Sequence, residues 1–342
     1  MAEVACRILV SPERIVGYRG ADDSFSASLW VDHPFLPWVG RPSHEYTMTV
    51  EEDGRSLPVR VANNAFGFRS HDIPTEKLPG DYFIVCLGGS TTWGAHAESN
   101  ADTWPELLEA RLRARYPSRN VRVFNFGTSQ ATVVYSLVAF ALIGINVQPD
   151  LVIVYHGFND YGPVSDSRYR IDQAHIFHDL ALDGRWHGLQ ASVPRSWLRS
   201  YVITLATGLV DRWAEIGNLS AYVAGEIDYD PAMNVAATAV ARLRRNWSHL
   251  ETIEAIARGR GARSLFSTFQ FTRGDERPNA VVNRSLLELF RERGFDYVDQ
   301  DALIPDNDPT LQFDQCHFTR AGRERMAENF FAHIAERGWI AP

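Results

Sequence analysis

Four short segments carry the residue types that acyl-transfer chemistry needs. In the first, Leu87-Gly-Gly-Ser-Thr-Thr-Trp-Gly94, an apolar run stops and small residues let the backbone turn sharply, which leaves the Ser90 hydroxyl exposed at the carboxyl end of a strand. The segment has no Lys for a phosphate-binding loop and lacks the second glycine of a G-x-S-x-G elbow. Alone, it also reads as a bare tight turn. In the second, Asp314-Gln-Cys-His317, a carboxylate and an imidazole lie three residues apart. In a single turn Asp314 can accept a hydrogen bond from one ring nitrogen while the other faces outward as a general base. Alone, this is also compatible with an Asp–His surface turn. Asn125-Phe-Gly127 and Gly157-Phe-Asn-Asp160 complete the set. A glycine N–H and an Asn amide suit the task of stabilising a developing oxyanion, although Asn and Gly are also common loop residues.

These segments need elements that bring them together, and the pattern from Tyr82 onward supplies them. Short apolar runs alternate with helical periodicity, the signature of parallel strands joined by crossover helices. Phe83-Ile-Val-Cys-Leu87, Val121-Arg-Val-Phe124 and Leu151-Val-Ile-Val-Tyr155 read as strands, with further strands near Ser264 to Phe271 and at Tyr297-Val298. Thr103-Trp-Pro-Glu106 matches a capping box that opens a helix with Trp104, Leu108 and Leu112 on one face. Val133 to Ile145 reads as a buried helix, too short in its apolar part to span a bilayer. Later helices place Val240, Leu243, Trp247 and Leu250 on one face, run from about Ala280 to Glu292, and start after Thr319 with Ala327, Phe330, Phe331 and Ile334 in step. Each chemical segment thus falls at the carboxyl end of a sheet element, and the topology collects all four at one edge.

The rest of the chain is organised around that sheet. Residues 1–79 read as a β-rich extension packed on the main domain, with a hairpin formed by Tyr46 to Val50 and Leu57 to Val61 about the Asp53-Gly54 turn. Residues 80–342 read as the main domain. Within it, 161–233 breaks the alternation and carries Trp186, Trp197, Tyr201, Trp213, Tyr222 and Tyr229, as an aromatic helical insertion or lid would. Its aromatic residues could stack on a sugar or enclose an acyl chain, or simply form the core of a helical subdomain.

Bulk properties exclude other classes. Across 342 residues, 45% hydrophobic and 22% charged content fits a folded globular protein rather than a disordered or fibrous one. The net charge of −8 lacks the basic footprint that nucleic acid requires. Three scattered cysteines, Cys6, Cys86 and Cys316, make no disulfide framework or Cys-rich zinc site, and the first residues lack the apolar stretch of a signal peptide. The expectation is a cytoplasmic protein without stable membrane insertion.

Taken together, the four segments resemble those of the SGNH or GDSL-type hydrolases, named for a Ser, Gly, Asn and His in four blocks. Ser90 matches the first block, Gly127 the second, Asn159 the third, and Asp314 with His317 the last. The likeness spans roughly residues 80 to 335 apart from the insertion. The first block departs from Gly-Asp-Ser by carrying Gly89 before the serine. Bacterial branches of the family resemble this Gly-Gly-Ser-Thr form, and Asn64-Ala-Phe-Gly-Phe-Arg69 and Thr103-Trp-Pro105 also look like that branch.

The resemblance implies a three-layer α/β/α fold with a flavodoxin-like, mostly parallel sheet. It implies a serine esterase in which Ser90 attacks an ester carbonyl, His317 moves the proton, Asp314 orients His317, and Ser90, Gly127 and Asn159 hold the oxyanion. Gly89, Thr91, His156 and Asp160 are candidate lining residues. The expected substrate is a small-molecule ester, such as an acetyl group on an alcohol or carbohydrate, and no cofactor or metal is called for. An acyltransferase using the same acyl-enzyme and a non-catalytic binding protein on a hydrolase scaffold are the alternatives. Cys316 is expected to be a small buried filler, since no separate base partners it.

Overall fold

The structure is a computed structural model that describes residues 29–31, 33–52, 55–173, 228–271, 276–306 and 308–341. The chain opens with two short strands, β1 (Trp30–Val31) and β2 (Val39–Gly40), and a hairpin of β3 (Glu45–Glu52) and β4 (Arg55–Ala62). The hairpin strands pair antiparallel from Glu45↔Ala62 to Glu52↔Arg55, as the β-prone runs predict. The turn residues Asp53 and Gly54 lie outside the described residues.

The main sheet then forms from β5 (Asp81–Gly88), β6 (Asn120–Gly127), β7 (Leu151–Tyr155), β8 (Arg263–Ser267) and β9 (Tyr297–Val298). All neighbours are parallel, in the order β6-β5-β7-β8-β9. Strands buried on both faces should be apolar throughout, and β7 is: every residue from Leu151 to Tyr155 is buried. Along β5 the side chains alternate between two cores. Phe83, Val85 and Leu87 face one, Ile84 and Cys86 the other.

Helices cover both faces, so the fold is a three-layer α/β/α sandwich. The first three helices are α1 (Ser90–Trp93), α2 (Trp104–Arg115) and α3 (Val133–Leu142). They are followed by α4 (Phe158–Ser165), α5 (Ala236–Asn246) and α6 (Ser248–Gly259). The last three are α7 (Glu276–Arg293), α8 (Gln300–Leu303) and α9 (Arg320–Glu336). Trp104 of α2 packs on Phe330 of α9 over one face, while α3, α5, α6 and α7 supply the other core. Among the described residues no helix is long and apolar enough to cross a membrane.

Several local expectations change. Thr103 does precede α2, but its hydroxyl donates to the Asn100 carbonyl instead of capping, and Glu106 turns to His71. The stretch read as one helix through Val240 and Leu250 is two, broken at Trp247. The side chains at the break are held elsewhere: Asn246 donates to Asp160, and the Trp247 indole N–H donates to Ser285. Thr319 caps α9 through its side chain, as expected. The aromatic insertion falls largely outside the described residues. What is described includes a bridge between Asp166 and Tyr229 that closes the base of the 161–233 segment.

Two buried contacts tie the N-terminal residues to the sheet domain. The guanidinium of fully buried Arg69 donates to the carbonyls of Arg60, Gly94 and Ala97 and to the Asn100 side chain, which fixes the loop after α1. His71 Nε2 lies 3.2 Å from Glu106 and 3.3 Å from Glu109, both on α2. These carboxylates, Glu106 foremost, raise the His71 pKa from 6.5 to about 10. A raised folded-state pKa means that the tie stabilises fully below pH 6.5 and is lost as pH rises through 10. The Tm difference between the natural chain and His71→Gln is therefore expected to be largest below pH 6.5 and to shrink toward pH 10. A difference that does not vary with pH in thermal melts would refute the charged tie.

Candidate active site

The order β6-β5-β7 puts a topological switch point beside β5, and open parallel sheets bind ligands outside the carboxyl ends of strands at such a point. Ser90 leaves β5 there as the first residue of α1, so its N–H is one of the amides without an intrahelical partner. Gly89 is required by close approach. A Cβ at this position would stand 2.4 Å from the Asn159 side-chain nitrogen.

The other end of the chain reaches the same point. Asp314 Oδ1 accepts the backbone N–H groups of Cys316 and His317, each at 2.9 Å, which folds the segment into a turn. Its Oδ2 pairs with His317 Nδ1 at 2.7 Å, and His317 Nε2 lies 2.8 Å from Ser90 Oγ. Burial opposes ionisation of Asp314. The hydrogen bond and charge of His317, with the two amides, outweigh it and hold the carboxyl well below the usual carboxylate range. An ionised Asp314 makes Nδ1 the donor and leaves Nε2 to accept the Ser90 hydroxyl proton. Thr91 Oγ1 donates to the Cys316 carbonyl at 2.8 Å and clamps the turn to α1.

Asn159 enters from β7, in the first turn of α4. Its amide nitrogen donates one hydrogen to the Ala131 carbonyl at 3.0 Å, and the side chain borders the cleft beside Ser90. Gln130 holds a left-handed backbone (φ 61) just before Ala131, an uncommon conformation for a side chain of its size. The cleft is small and is bordered by the polar residues Ser90, Thr91, His156 and Asn159, by Gly89, and by Tyr155, Phe158, Phe269 and Cys316.

Two expected residues sit elsewhere. The Gly127 N–H donates to Asn125 Oδ1 at 2.9 Å, and Gly127 does not border the cleft. It is a packing glycine: an added Cβ would stand 2.2 Å from the Trp93 nitrogen and 2.5 Å from the Thr92 carbonyl carbon. The expectation that it donates to an oxyanion is therefore corrected, because its N–H is already engaged. Asp160 does not line the cleft either. It is fully buried, accepts the Val133 N–H at 2.9 Å and the Asn246 amide at 3.3 Å, and lies 3.4 Å from His156 Nδ1.

His156 pairs in turn with Ser136 Oγ at 2.8 Å, so the molecule holds a second Ser–His–Asp array. Ser136 and Asp160 are 0% exposed, and no substrate carbonyl can reach that hydroxyl. Accessibility, not residue type, separates the two arrays. Ser136 was not legible in the sequence, since a serine within an apolar helix carries no signal of its own. His96 was not legible either. Its Nε2 lies 3.9 Å from Asp314 Oδ2 and its ring packs on Phe313. Burial, aided by the His317 charge, lowers its pKa to about 4, so it is neutral beside the Asp–His pair at neutral pH.

Among the described residues two groups gather three possible metal ligands, His96 with Asp314 and His317, and His71 with Glu106 and Glu109. In the first, the 2.7 Å spacing of Asp314 and His317 is that of a charge-assisted hydrogen bond. In the second, Glu109 already accepts the Val123 N–H and an Arg113 N–H. Burial, with the neighbouring Asp314 charge, pushes the Cys316 thiol far above its ordinary pKa, so it stays protonated and apolar, as a filler would.

The profile of the GDSL-like lipase/acylhydrolase family matches residues 86–325, more than two thirds of the chain. The chain belongs to the GDSL-like lipase/acylhydrolase family. This acylhydrolase is also similar to solved structures. An alpha/beta hydrolase enzyme from the metagenome of Lake Arreo, Spain, is 17% identical, with 74% of this chain and 95% of that chain covered and a TM-score of 0.43. An acetylxylan esterase from Geobacillus stearothermophilus is 16% identical, with 74% and 94% covered and a TM-score of 0.43. No curated protein matches the sequence.

The two glycines of the hydrolase predict opposite phenotypes. Gly89→Ala pushes against the Asn159 amide and is expected to lower kcat with little change in Tm. Gly127→Ala meets backbone of α1 and should destabilise by about 1–3 kcal/mol or more. Urea denaturation and steady-state kinetics on the two variants check this, and an unaltered rate in Gly89→Ala would contradict it.

Proposed function

We propose that this hydrolase is a serine esterase that removes a small acyl group, such as acetyl, from an alcohol or carbohydrate through an acyl-enzyme on Ser90. The observation that carries the reading is the 2.8 Å contact of His317 Nε2 with Ser90 Oγ, with Asp314 on the other ring nitrogen and a cleft open at the hydroxyl. Ser90 Oγ attacks the ester carbonyl carbon as its proton passes to His317 Nε2, and the carbonyl π electrons move onto oxygen. The Ser90 N–H and the free hydrogen of the Asn159 amide stabilise that oxyanion. Its collapse breaks the bond to the alcohol oxygen, which takes the proton from His317. Water then repeats the sequence on the acyl-enzyme and releases the carboxylic acid. Asp314 stays ionised throughout and stabilises the imidazolium.

Incubation with a fluorophosphonate probe is expected to label Ser90, and absence of label on folded protein would overturn the proposal. Ser90→Ala should lower turnover of an acetyl ester by at least about 10³-fold. Asn159→Ala should lower kcat by about 10² to 10³-fold. A change in KM alone would remove Asn159 from the oxyanion site.

A further inference from the structure

We infer that Phe269 closes the acyl side of the cleft and restricts the enzyme to acyl groups of two or three carbons. The inference rests on the reading of ester cleavage at Ser90. In that reaction the alcohol oxygen must receive its proton from His317 Nε2, so the alcohol leaves on the His317 side. His317 does not border the cleft, whereas Ser90, Asn159 and Phe269 do. The carbonyl carbon has one other substituent, the acyl chain, and the cleft is where it goes.

Phe269 is placed to end that chain. It follows β8, whose neighbour β7 ends at Tyr155, and its ring stacks on Tyr155 with centroids 4.5 Å apart and planes at 26°. Phe271 also meets the ring edge-on at 5.1 Å. Its backbone cannot yield easily, because the Asn283 side chain accepts the Phe269 N–H and donates to the Phe269 carbonyl, both at 2.8 Å. The adjoining chain is equally close: a Cβ on Gly157 would stand 2.4 Å from Phe269 Cβ. Phe269 is buried, 5% exposed, and it borders the cleft. A wall held at backbone and ring by separate contacts does not give way to a longer chain, and each extra methylene in such a pocket alters discrimination by about 10 to 200-fold.

The test uses the full chain and p-nitrophenyl esters from acetate to octanoate, read as kcat/KM. The natural enzyme is expected to prefer acetate, with activity falling steeply from butyrate onward. Phe269→Ala should raise the butyrate-to-acetate ratio by about tenfold or more, Phe269→Leu by less, and Phe269→Trp should lower it. If the alanine variant does not fold, the leucine and tryptophan variants decide the matter by moving in opposite directions. An unchanged ratio in folded variants whose Ser90 still reacts with the fluorophosphonate overturns the assignment of Phe269 and leaves the esterase reading intact. Failure of Ser90 to label in the natural enzyme is the separate result that removes the reading itself.

Discussion

The contact between His317 Nε2 and Ser90 Oγ joins residues 227 positions apart, and the rest of the molecule is arranged to make it. A hydrogen bond of 2.8 Å tolerates little displacement, so the elements that carry its two ends must be fixed to each other. The sheet supplies one reference, because β5 lies between β6 and β7 in its interior and delivers Ser90 at its carboxyl end. The other end is held three times over. Asp314 closes the turn on its own backbone, Thr91 bonds the turn to α1, and Thr319 caps α9 immediately beyond it. An imidazole held in this way stays within hydrogen-bond reach of the Ser90 hydroxyl at little cost in conformational entropy.

The two Ser–His–Asp arrays show what makes one of them a candidate for chemistry. Both have a serine hydroxyl 2.8 Å from a ring nitrogen and an Asp near the other nitrogen. In the array of Ser136, His156 and Asp160, burial closes off the hydroxyl, and Asp160 Oδ1 accepts from the Val133 N–H and the Asn246 amide. That array is a scaffold: through Ser136, Asp160 and the Asn246 amide that donates to Asp160, it joins α3, α4 and α5 at the position directly after Asn159. The array of Ser90 opens on a cleft and has its carboxylate on a turn near the surface. The same side-chain types are thus closed off in one place and open to a cleft in another, and solvent access makes the difference.

The N-terminal residues act on the site at one remove. Buried Arg69 spends its N–H donors on three carbonyls and the Asn100 side chain, with no carboxylate among the hydrogen-bond partners of its guanidinium, and burial lowers its pKa to about 10. Two of those carbonyls, Gly94 and Ala97, flank His96, which lies against Asp314 and Phe313. The extension therefore orders the loop that covers the Asp–His pair. Hydrogen bonds to a guanidinium do this without placing a negative charge beside Asp314, where it would disturb the carboxylate that orients His317.

The layered fold, and the segments that bring Ser90, Asp314 and His317 together, were legible in the sequence because both depend on local signals. Apolar runs of five residues, as at Leu151 to Tyr155, mark strands buried on both faces; a Ser directly after such a run inherits its place at the sheet edge from the topology, and the Asp–His turn is marked by its spacing just ahead of the last helix. The role of Gly127 was not legible. Its place after β6 is as suggestive as that of Asn159 after β7, and only the three-dimensional path of Asn125 shows that its N–H is taken. The capping box at Thr103 failed for a related reason: His71, distant in sequence, offers Glu106 a partner that competes with the helix end. His96, Ser136 and Phe269 likewise have no local signature, since each acquires its meaning from neighbours far along the chain. What the sequence by itself determined is the order of the elements and the chemistry offered at their ends, since backbone propensity and hydrophobic period are local. Which of those groups are paired, buried or open to a substrate was decided only by the tertiary structure, because hydrogen-bond partners and solvent access are properties of non-local packing.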